Sequence, residues 1–311
     1  MSMVTTQQLT RYIEQYGQTE VTFTRQVINA TGLVARGVYM KLTDRQIPCV
    51  VFSASMSAAK VIAGVKTAFF NALRQTGNKL SLRWCFKLPQ EGEPITFFVS
   101  CQATGFTPYN PGNPDEQLIT LEYAQRPPDD LIVILGNLLE ATANSQRRRD
   151  ERVTITPETM KKLGIESREA VLSINGRPYR GVLRDVSFGG AKILMHAVPQ
   201  SASGGTVTMK ISKGEQGGEL LLLCTVRRIE KVGGRSDIDC VAVEYVRDTP
   251  LSYKLLINSY LSLRKGGAEA PAAQAPASHA STAPARGAPP AGAPAEADFP
   301  EEEGGEENPD G

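Results

Sequence analysis

Hydrophobic and polar residues alternate along most of the first 124 residues, and helical spacing interrupts the alternation twice. Period-two alternation predicts β-strands, whereas apolar residues three and four apart predict amphipathic helices. Helices are predicted from Thr5 or Thr6, either of which can cap the first turn, to Gly17, and again over 55–75. Strands are predicted over 20–29, 33–42, 48–53, 79–88, 94–104 and 117–124, with a Pro- and Gly-rich loop over 107–114. This pattern predicts a compact α+β unit with its own core.

The following 120 residues are richer still in strand-like segments. Asp129 or Asp130 is expected to cap a helix that ends near Ala143 and Asn144 and leads directly into a run of arginines. A helix over 251–263 is expected to close this region, and Gly233-Gly234 reads as a hairpin loop. The strands in between are predicted over 152–156, 170–174, 177–186, 190–195, 205–213, 220–232 and 237–246.

Composition and charge divide the chain into three segments. Its 311 residues suffice for two domains and an additional segment. Counting Lys and Arg against Asp and Glu gives +1 for 1–144, +7 for 145–264 and −7 for 265–311. Ala, Pro and Gly dominate the last segment, which cannot bury enough apolar surface to offset the entropy of ordering. We therefore predict domains at 1–144 and 145–264, followed by a disordered acidic tail at 265–311.

The cysteines, the histidines and the apolar segments indicate the cellular compartment and limit the possible chemistry. Five scattered cysteines without a CxxC pair are typical of small core residues in a reducing compartment. The polar N-terminus lacks a signal-peptide core, and the longest apolar runs are too short for membrane insertion. Only His196 and His279 are histidines, and the Walker A, HExxH and GxSxG motifs are absent from the sequence. We expect a cytoplasmic protein with no catalytic and no metal-binding residues.

Two short motifs carry candidate binding chemistry. Arg148 and Arg152 form an RxxxR motif that Arg147 precedes, and residues 185–190 read as DxSxxG. An arginine fork binds phosphate or the O6/N7 edge of guanine in bidentate fashion, and its face stacks on a base. Asp185 can accept the guanine N–H donors, and Ser187 can bond to a base or a phosphate. Gly189 and Gly190 complete the motif, and Gly190 would let the backbone approach closely or adopt positive φ.

Together, in this order and on strand-rich sequence, the two motifs resemble the PilZ domain, a bacterial receptor for cyclic di-GMP. The resemblance implies a six-stranded β-barrel with a terminal helix and a two-domain receptor of the PlzA-like or YcgR-like type. In such receptors the first domain is a degenerate PilZ-like barrel without ligand motifs, although an unrelated α+β domain stays open here. The implied fold class is mainly β with α. The residues that the resemblance assigns to cyclic di-GMP are Arg147, Arg148, Arg152, Asp185, Ser187, Gly189 and Gly190.

Each motif also has a plainer interpretation. The arginine run could be a solvated face or a complement to a helix C-terminus, and residues 185–190 could be an ordinary hairpin turn. Arg147 could stack on a second ligand molecule, point to solvent, or pair with Asp150 or Glu151. The acidic tail could be solvated, or could visit the basic domain and compete with its ligand.

The functional hypothesis is a cyclic di-GMP receptor that changes its domain arrangement on binding. Arg147, Arg148 and Arg152, on or beside a flexible linker between the domains, would become ordered around a ligand that Asp185 and Ser187 also hold. The new surface would engage an unidentified protein effector in motility or gene regulation. The alternative is a nucleic-acid-binding protein that uses the basic second domain, with or without control by cyclic di-GMP. Nucleic acid is otherwise a secondary partner.

Overall fold

A computed structural model describes residues 5–88, 92–213, 218–246 and 249–266. The N-terminal region combines four helices with one antiparallel sheet. Its elements are α1 (Thr6–Tyr16), β1 (Val21–Thr22), α2 (Arg25–Thr31), β2 (Tyr39–Leu42), β3 (Arg45–Pro48), β4 (Val50–Ala54), β5 (Ala58–Gly64), α3 (Thr67–Gln75), β6 (Lys79–Phe86), β7 (Ile95–Asn110), β8 (Asn113–Tyr123) and α4 (Asp129–Arg147).

The C-terminal region is a second antiparallel sheet with two helices. Its elements are β9 (Val153–Thr154), α5 (Pro157–Leu163), β10 (Ile165–Ile174), β11 (Arg177–Val186), β12 (Gly190–His196), β13 (Thr206–Lys213), β14 (Glu219–Val232), β15 (Arg235–Tyr245) and α6 (Leu251–Gly266).

The N-terminal sheet is built on an aromatic core. Its eight strands run in the order β1-β4-β5-β8-β7-β6-β2-β3. Trp84 is fully buried and stacks on Phe86, with 5.7 Å between the ring centroids. The ring centroid of Phe23 lies 5.9 Å from that of Trp84. Helices α1 and α4 contribute Leu9 and Leu131 to the same core. Among the described residues no strand pairing joins β1 to β3, so strand pairing does not close this sheet into the barrel that the resemblance implied.

The C-terminal sheet closes on itself. Six strands follow the order β10-β13-β14-β15-β12-β11, and a further pairing of β10 with β11 completes the barrel. Tyr253, Ile257 and Leu261 of α6 are buried at intervals of four residues and belong to the barrel core. The predicted fold class is confirmed: the chain is mainly β with α, with an α+β region followed by a six-stranded barrel and its terminal helix.

Two local predictions are confirmed closely, one in the barrel and one in the N-terminal region. Strand β11 has the predicted bounds, and Asn175 and Gly176 form the turn before it with φ of 50° and 76°. Positive φ at both turn residues is the geometry of a two-residue hairpin whose twist matches its strands. At the other end of the chain Thr5 caps α1, because its side chain accepts a hydrogen bond from the amide of Gln8.

Residues 20–29 are not a strand as predicted. Only β1 is extended there, and α2 begins after Thr24, whose side chain accepts from the amide of Val27. Gly32 ends α2 with a φ of 71°. A cap on one side and a left-handed glycine on the other define this short helix, and they outweigh the β-branched residues that favour a strand.

Residues 55–75 are only partly helical. The first half forms β5, in which Ala59, Val61 and Ala63 face the core on alternate positions, and only α3 is helical. The small apolar residues of β5 suit a helix as well as a strand, so their sequence alone does not distinguish the two. The predicted loop over 107–114 is likewise extended, because β7 and β8 continue as a hairpin to Asn110 and Asn113.

Helix α5 was not predicted, although its sequence signals are strong. Thr156 caps it in a capping box with Thr159, Pro157 occupies the first turn, and Gly164 ends it with a φ of 61°. The predicted strand over 152–156 shrinks to β9 as a result.

Helices α4 and α6 are longer than predicted. Pro128, and not Asp129 or Asp130, is the N-cap of α4, and the helix continues past Asn144 to Arg147. The predicted domain boundary at 144/145 therefore falls within α4. Helix α6 extends to Gly266, so the first two residues assigned to the tail are helical, and 267–311 lie outside the described residues. In the described part of the chain, no helix is both long and apolar enough to cross a bilayer.

Candidate ligand-binding site

A short strand pairing brings the two motifs together. Val153 pairs with Val186 and Thr154 with Asp185, in the β9–β11 pairing. The amide of Ile155 extends this pairing by donating to the carbonyl of Arg184 at 2.8 Å. Because β9 directly follows the RxxxR motif and β11 ends in the DxSxxG motif, both motifs lie at the same end of the barrel.

Arg152 and Asp185 form an ion pair across this junction, from Nη1 to Oδ1. The Asp185 side chain is only 10% exposed, whereas the Arg152 side chain is 42% exposed. Burying a carboxylate is costly unless it is paired, so Arg152 compensates Asp185. A register shift between Leu183 and Asp185 re-aims the end of β11 at this point. The carboxylate that was predicted to read a guanine edge is thus already engaged by a predicted ligand arginine.

The other two predicted arginines stand at the end of α4. Arg147 is its last residue and is exposed, and the amide of Arg148 still donates to the carbonyl of Asn144 at 2.8 Å. The predicted position on a linker is therefore wrong for Arg147. Arg148 Nε lies 2.5 Å from Glu151 Oε2, so Arg148 forms the cross-turn pair that was considered for Arg147.

Ser187 organises the DxSxxG turn through its own hydroxyl oxygen. That Oγ accepts from the amides of Gly189 and Gly190 at 3.2 and 3.1 Å, and the Ser187 amide donates to the Gly190 carbonyl at 2.8 Å. Ser187 is only 2% exposed. The motif is thus also the hairpin turn between β11 and β12, and Ser187 supports the turn in this structure.

Both glycines of the motif are needed for close packing. A Cβ at Gly190 would lie 2.2 Å from the carbonyl oxygen of Val243, and one at Gly189 would lie 2.7 Å from Cγ of Arg149. The backbone contact at Gly190 leaves no space for a side chain, whereas at Gly189 the Arg149 side chain would have to shift. Of the two uses predicted for Gly190, the structure supports close approach of the backbone.

Helix α6 anchors the same turn from behind. The Tyr253 hydroxyl donates to the carbonyl of Ser187 at 2.8 Å and lies 2.9 Å from the Tyr245 hydroxyl. Burial raises the pKa of both tyrosines well above the ordinary value, so both are neutral donors. Neither tyrosine was predicted as a site residue. The spacing of Tyr253 with Ile257 and Leu261 on one apolar face was the available signal.

The site offers cationic and hydrogen-bonding groups but no metal centre. In the ranges that the structure describes, no group of three or more His, Cys, Asp or Glu side chains is placed to hold a metal ion. Arg152 contacts the DxSxxG motif through Asp185, and the exposed Arg147 and partly buried Arg148 precede it in the chain, so these arginines give the RxxxR segment a cationic character. Such a segment can bind a phosphorylated ligand.

Two solved structures and one further protein are similar to this chain over most of its length. PlzA of Borreliella burgdorferi, solved in complex with c-di-GMP, is 21% identical with a TM-score of 0.38 and matches 82% of this chain and 98% of that chain. YcgR of Escherichia coli, also solved with c-di-GMP, is 12% identical with a TM-score of 0.27 and matches 77% and 88%. A protein of Treponema denticola described as a cyclic di-GMP binding protein is 37% identical over 264 residues, 85% of this chain and 84% of that relative.

Family models match the two regions in turn. Residues 7–142 match the PilZN3 domain, and residues 146–262 match the PilZ domain. Together with the relative from Treponema denticola, these matches show that the chain belongs to the PilZ family, with a PilZN3 domain followed by a PilZ domain.

Proposed function

We propose that this protein is a receptor for cyclic di-GMP, which binds between the RxxxR motif and the DxSxxG turn. The observation that carries the proposal is the β9–β11 pairing, because it brings Arg152 to Asp185 and places both motifs at one end of the barrel. The description of the relative from Treponema denticola as a cyclic di-GMP binding protein supports it.

The chemistry of the ligand matches the groups of the two motifs. Cyclic di-GMP carries two phosphodiester charges and two guanine bases, and Arg148 and Arg152 can bind either kind of group in bidentate fashion. Asp185 can accept the N–H donors of guanine. Their present partners are exchangeable: Arg148 pairs with Glu151 and Arg152 with Asp185. A bound ligand would replace or share these pairs, while the net charge of +7 over 145–264 attracts the dianion.

The proposed response of the protein is a shift in how the two regions are joined. Glu140 of α4 lies two turns before Arg147 and accepts bonds from Arg11 of α1 at 2.7 Å and from Asn258 of α6 at 3.2 Å. Five residues before Asn258, Tyr253 of α6 bonds to the DxSxxG turn. Helices α4 and α6 thus connect the candidate site to the N-terminal helices, and the ligand would bias this joint by its differential affinity for two arrangements.

The output of this shift would be a surface for a protein effector, in motility or gene regulation. We place the receptor in the cytoplasm, in keeping with five cysteines that are free and buried. Nucleic acid would be at most a secondary partner of the basic barrel.

Calorimetric titration at fixed salt tests the receptor assignment. We expect saturable heat with cyclic di-GMP and much weaker binding of cyclic di-AMP, because the proposed site reads guanine edges. A titration with random-sequence duplex DNA serves as the comparison. Binding of DNA alone, weakening steeply with salt, would replace the receptor by the nucleic-acid alternative.

Distance measurements between two spin labels test the proposed response. Gln46→Cys on β3 and Arg177→Cys on β11 introduce exposed thiols, whereas the five native thiols are buried. Saturating cyclic di-GMP should shift the distance distribution, and the shift should be absent when Arg152→Ala is added. Identical distance distributions with and without ligand would rule out the rearrangement but would not contradict the binding of cyclic di-GMP.

A further inference from the structure

Arg149, the second residue of the RxxxR motif, contacts Gly189 of the DxSxxG turn through both its backbone and its side chain. Its carbonyl accepts from the amide of Gly189 at 2.9 Å. Its side chain lies against Gly189, where an added Cβ would be 2.7 Å from its Cγ and 3.0 Å from its Nε. The backbone and the side chain of Arg149 therefore both hold the two motifs together.

The guanidinium of Arg149 ends on the barrel wall. Its Nη2 pairs with Oε1 of Glu244 on β15, and the other carboxylate oxygen of Glu244 lies 2.5 Å from Nε of Arg227 on β14. The neighbouring residue Tyr245 donates its amide to the carbonyl of Gly189 at 2.9 Å. Glu244 is thus shared between one arginine that belongs to the motif turn and one that belongs to the barrel.

We propose that Arg149 and Glu244 are positioning residues for ligand binding: together they fix the RxxxR turn against Gly189 so that Arg148 and Arg152 are presented before the ligand arrives. This inference rests on the proposed function. A turn that is already ordered pays less conformational entropy on binding, so affinity rises without any contact from the positioning pair. The flexible linker expected from the sequence would have carried that cost.

The sign of the effect separates positioning from simple charge attraction. Glu244→Gln removes a negative charge near the site and frees Arg149, so charge attraction alone would tighten the binding of an anionic ligand. Positioning makes the opposite prediction, because loss of the pair releases the turn. We expect Glu244→Gln and Arg149→Gln each to weaken binding about threefold to fivefold, the range of one partly exposed ion pair.

The experiment is calorimetric titration of the full chain with cyclic di-GMP, applied to the wild type, the two single variants and the double variant. The double variant should be about as weak as Glu244→Gln, because the Arg149–Glu244 pair is lost in both and both also lose the pair of Glu244 with Arg227. Arg180→Gln is the matched control, since it removes the same charge from a side chain that is 81% exposed and pairs with Glu169 instead. It should leave the affinity near the wild-type value.

The rate of hydrogen exchange at the Gly189 amide of the ligand-free protein is a second, independent test of whether the pair orders the turn. Faster exchange in Glu244→Gln and Arg149→Gln, with an unchanged melting temperature, supports positioning. Loss of binding in Arg149→Gln together with tighter binding in Glu244→Gln would assign Arg149 to direct ligand contact and overturn the proposal. Wild-type affinity in both variants would overturn it as well, whereas a wild type that binds no cyclic di-GMP would overturn the receptor function itself.

Discussion

The two regions of this protein each bury a tyrosine hydroxyl under a helix, and they use it differently. In the N-terminal region the Tyr12 hydroxyl lies 2.8 Å from Asn137 Oδ1 and 3.2 Å from Glu140 Oε2. Burial raises the pKa of Tyr12 to about 12. In the barrel Tyr253 bonds to the carbonyl of Ser187. The first network joins helices to each other, whereas the second holds the turn of a binding motif. A buried hydroxyl therefore indicates a role in ligand binding only when its hydrogen-bond partner belongs to the binding motif.

The sheets of the two regions also differ, in their closure and in the composition of their cores. The N-terminal sheet covers an aromatic core that includes Trp84 and Phe86, and its ends are not joined among the described residues. The barrel closes, and its core is mostly aliphatic. The barrel brings a cluster of arginines to the end where β9 joins β11. If this comparison is correct, changes in the barrel alter binding, and equivalent changes in the N-terminal region alter stability.

The largest effect is expected from the ligand arginines. Arg152→Ala or Arg148→Ala should weaken cyclic di-GMP binding by at least about 1–3 kcal/mol, the size of one bidentate guanine contact. Arg152→Lys should recover little, because lysine lacks the planar fork. Arg126→Ala, which removes an exposed pair with Asp129 in the N-terminal region, is the charge-matched control. Calorimetry measures all four, and near-wild-type affinity in both alanine variants would refute the site.

A loss of discrimination is expected from Asp185→Asn. The change keeps the volume of the side chain and replaces an anionic acceptor by a weaker neutral one, so guanine recognition should fall about tenfold. The folded structure should persist by circular dichroism. Titration with cyclic di-GMP and cyclic di-AMP measures the selectivity. If Asp185→Asn and the wild type have the same ratio of affinities, Asp185 does not read the base.

The tyrosines allow the two regions to be compared directly. Tyr253→Phe and Tyr12→Phe each remove one buried hydroxyl, and each should lower the free energy of unfolding by about 1–3 kcal/mol. Only Tyr253→Phe should also weaken cyclic di-GMP binding, by a few-fold, because it releases the Ser187 turn. Denaturant unfolding and calorimetry on the same samples provide both numbers. Equal weakening of binding by both variants would mean that the two networks do not differ in function.

The smallest effect on affinity is expected from Arg147→Ala. We propose that this exposed arginine stacks on a second, intercalated ligand, so the calorimetric stoichiometry should fall from two to one while the first ligand still binds. Arg168→Ala, at an exposed arginine of β10, controls for the loss of charge. A stoichiometry of one in the wild type that Arg147→Ala leaves unchanged would contradict the two-ligand proposal.

How far the fold could be predicted depended on local signals. Strand β11 was predicted with its correct bounds, and the structure shows a tight Asn175-Gly176 turn at its start and the DxSxxG motif at its end. The N-terminal strands are shorter and are rich in small residues, as in β5, where Ala59 and Ala63 suit a helix as well as a strand. Tertiary packing decided those cases, and alternation within one segment does not contain that information.

The candidate site was predictable only as far as its motifs. The arginines, Asp185 and the glycines stand in short patterns whose chemistry can be read directly. The partner of Arg149 is Glu244, which lies 95 residues further along the chain, and the two meet only through the register of β12 with β15. Tyr253 could likewise not be predicted as a site residue, because its hydroxyl reaches the Ser187 carbonyl only when α6 packs over the turn. Long-range partners of this kind require the fold.

Hydrogen–deuterium exchange of the full chain, with and without saturating cyclic di-GMP, tests the central claim most directly. The amides of 147–152 and 185–190 should be protected by the ligand, while the sheet strands of the N-terminal region, such as β4 and β5, should exchange as before. Protection confined to the N-terminal sheet, or no protection at either motif under saturating ligand, would contradict the assignment of the site to the barrel.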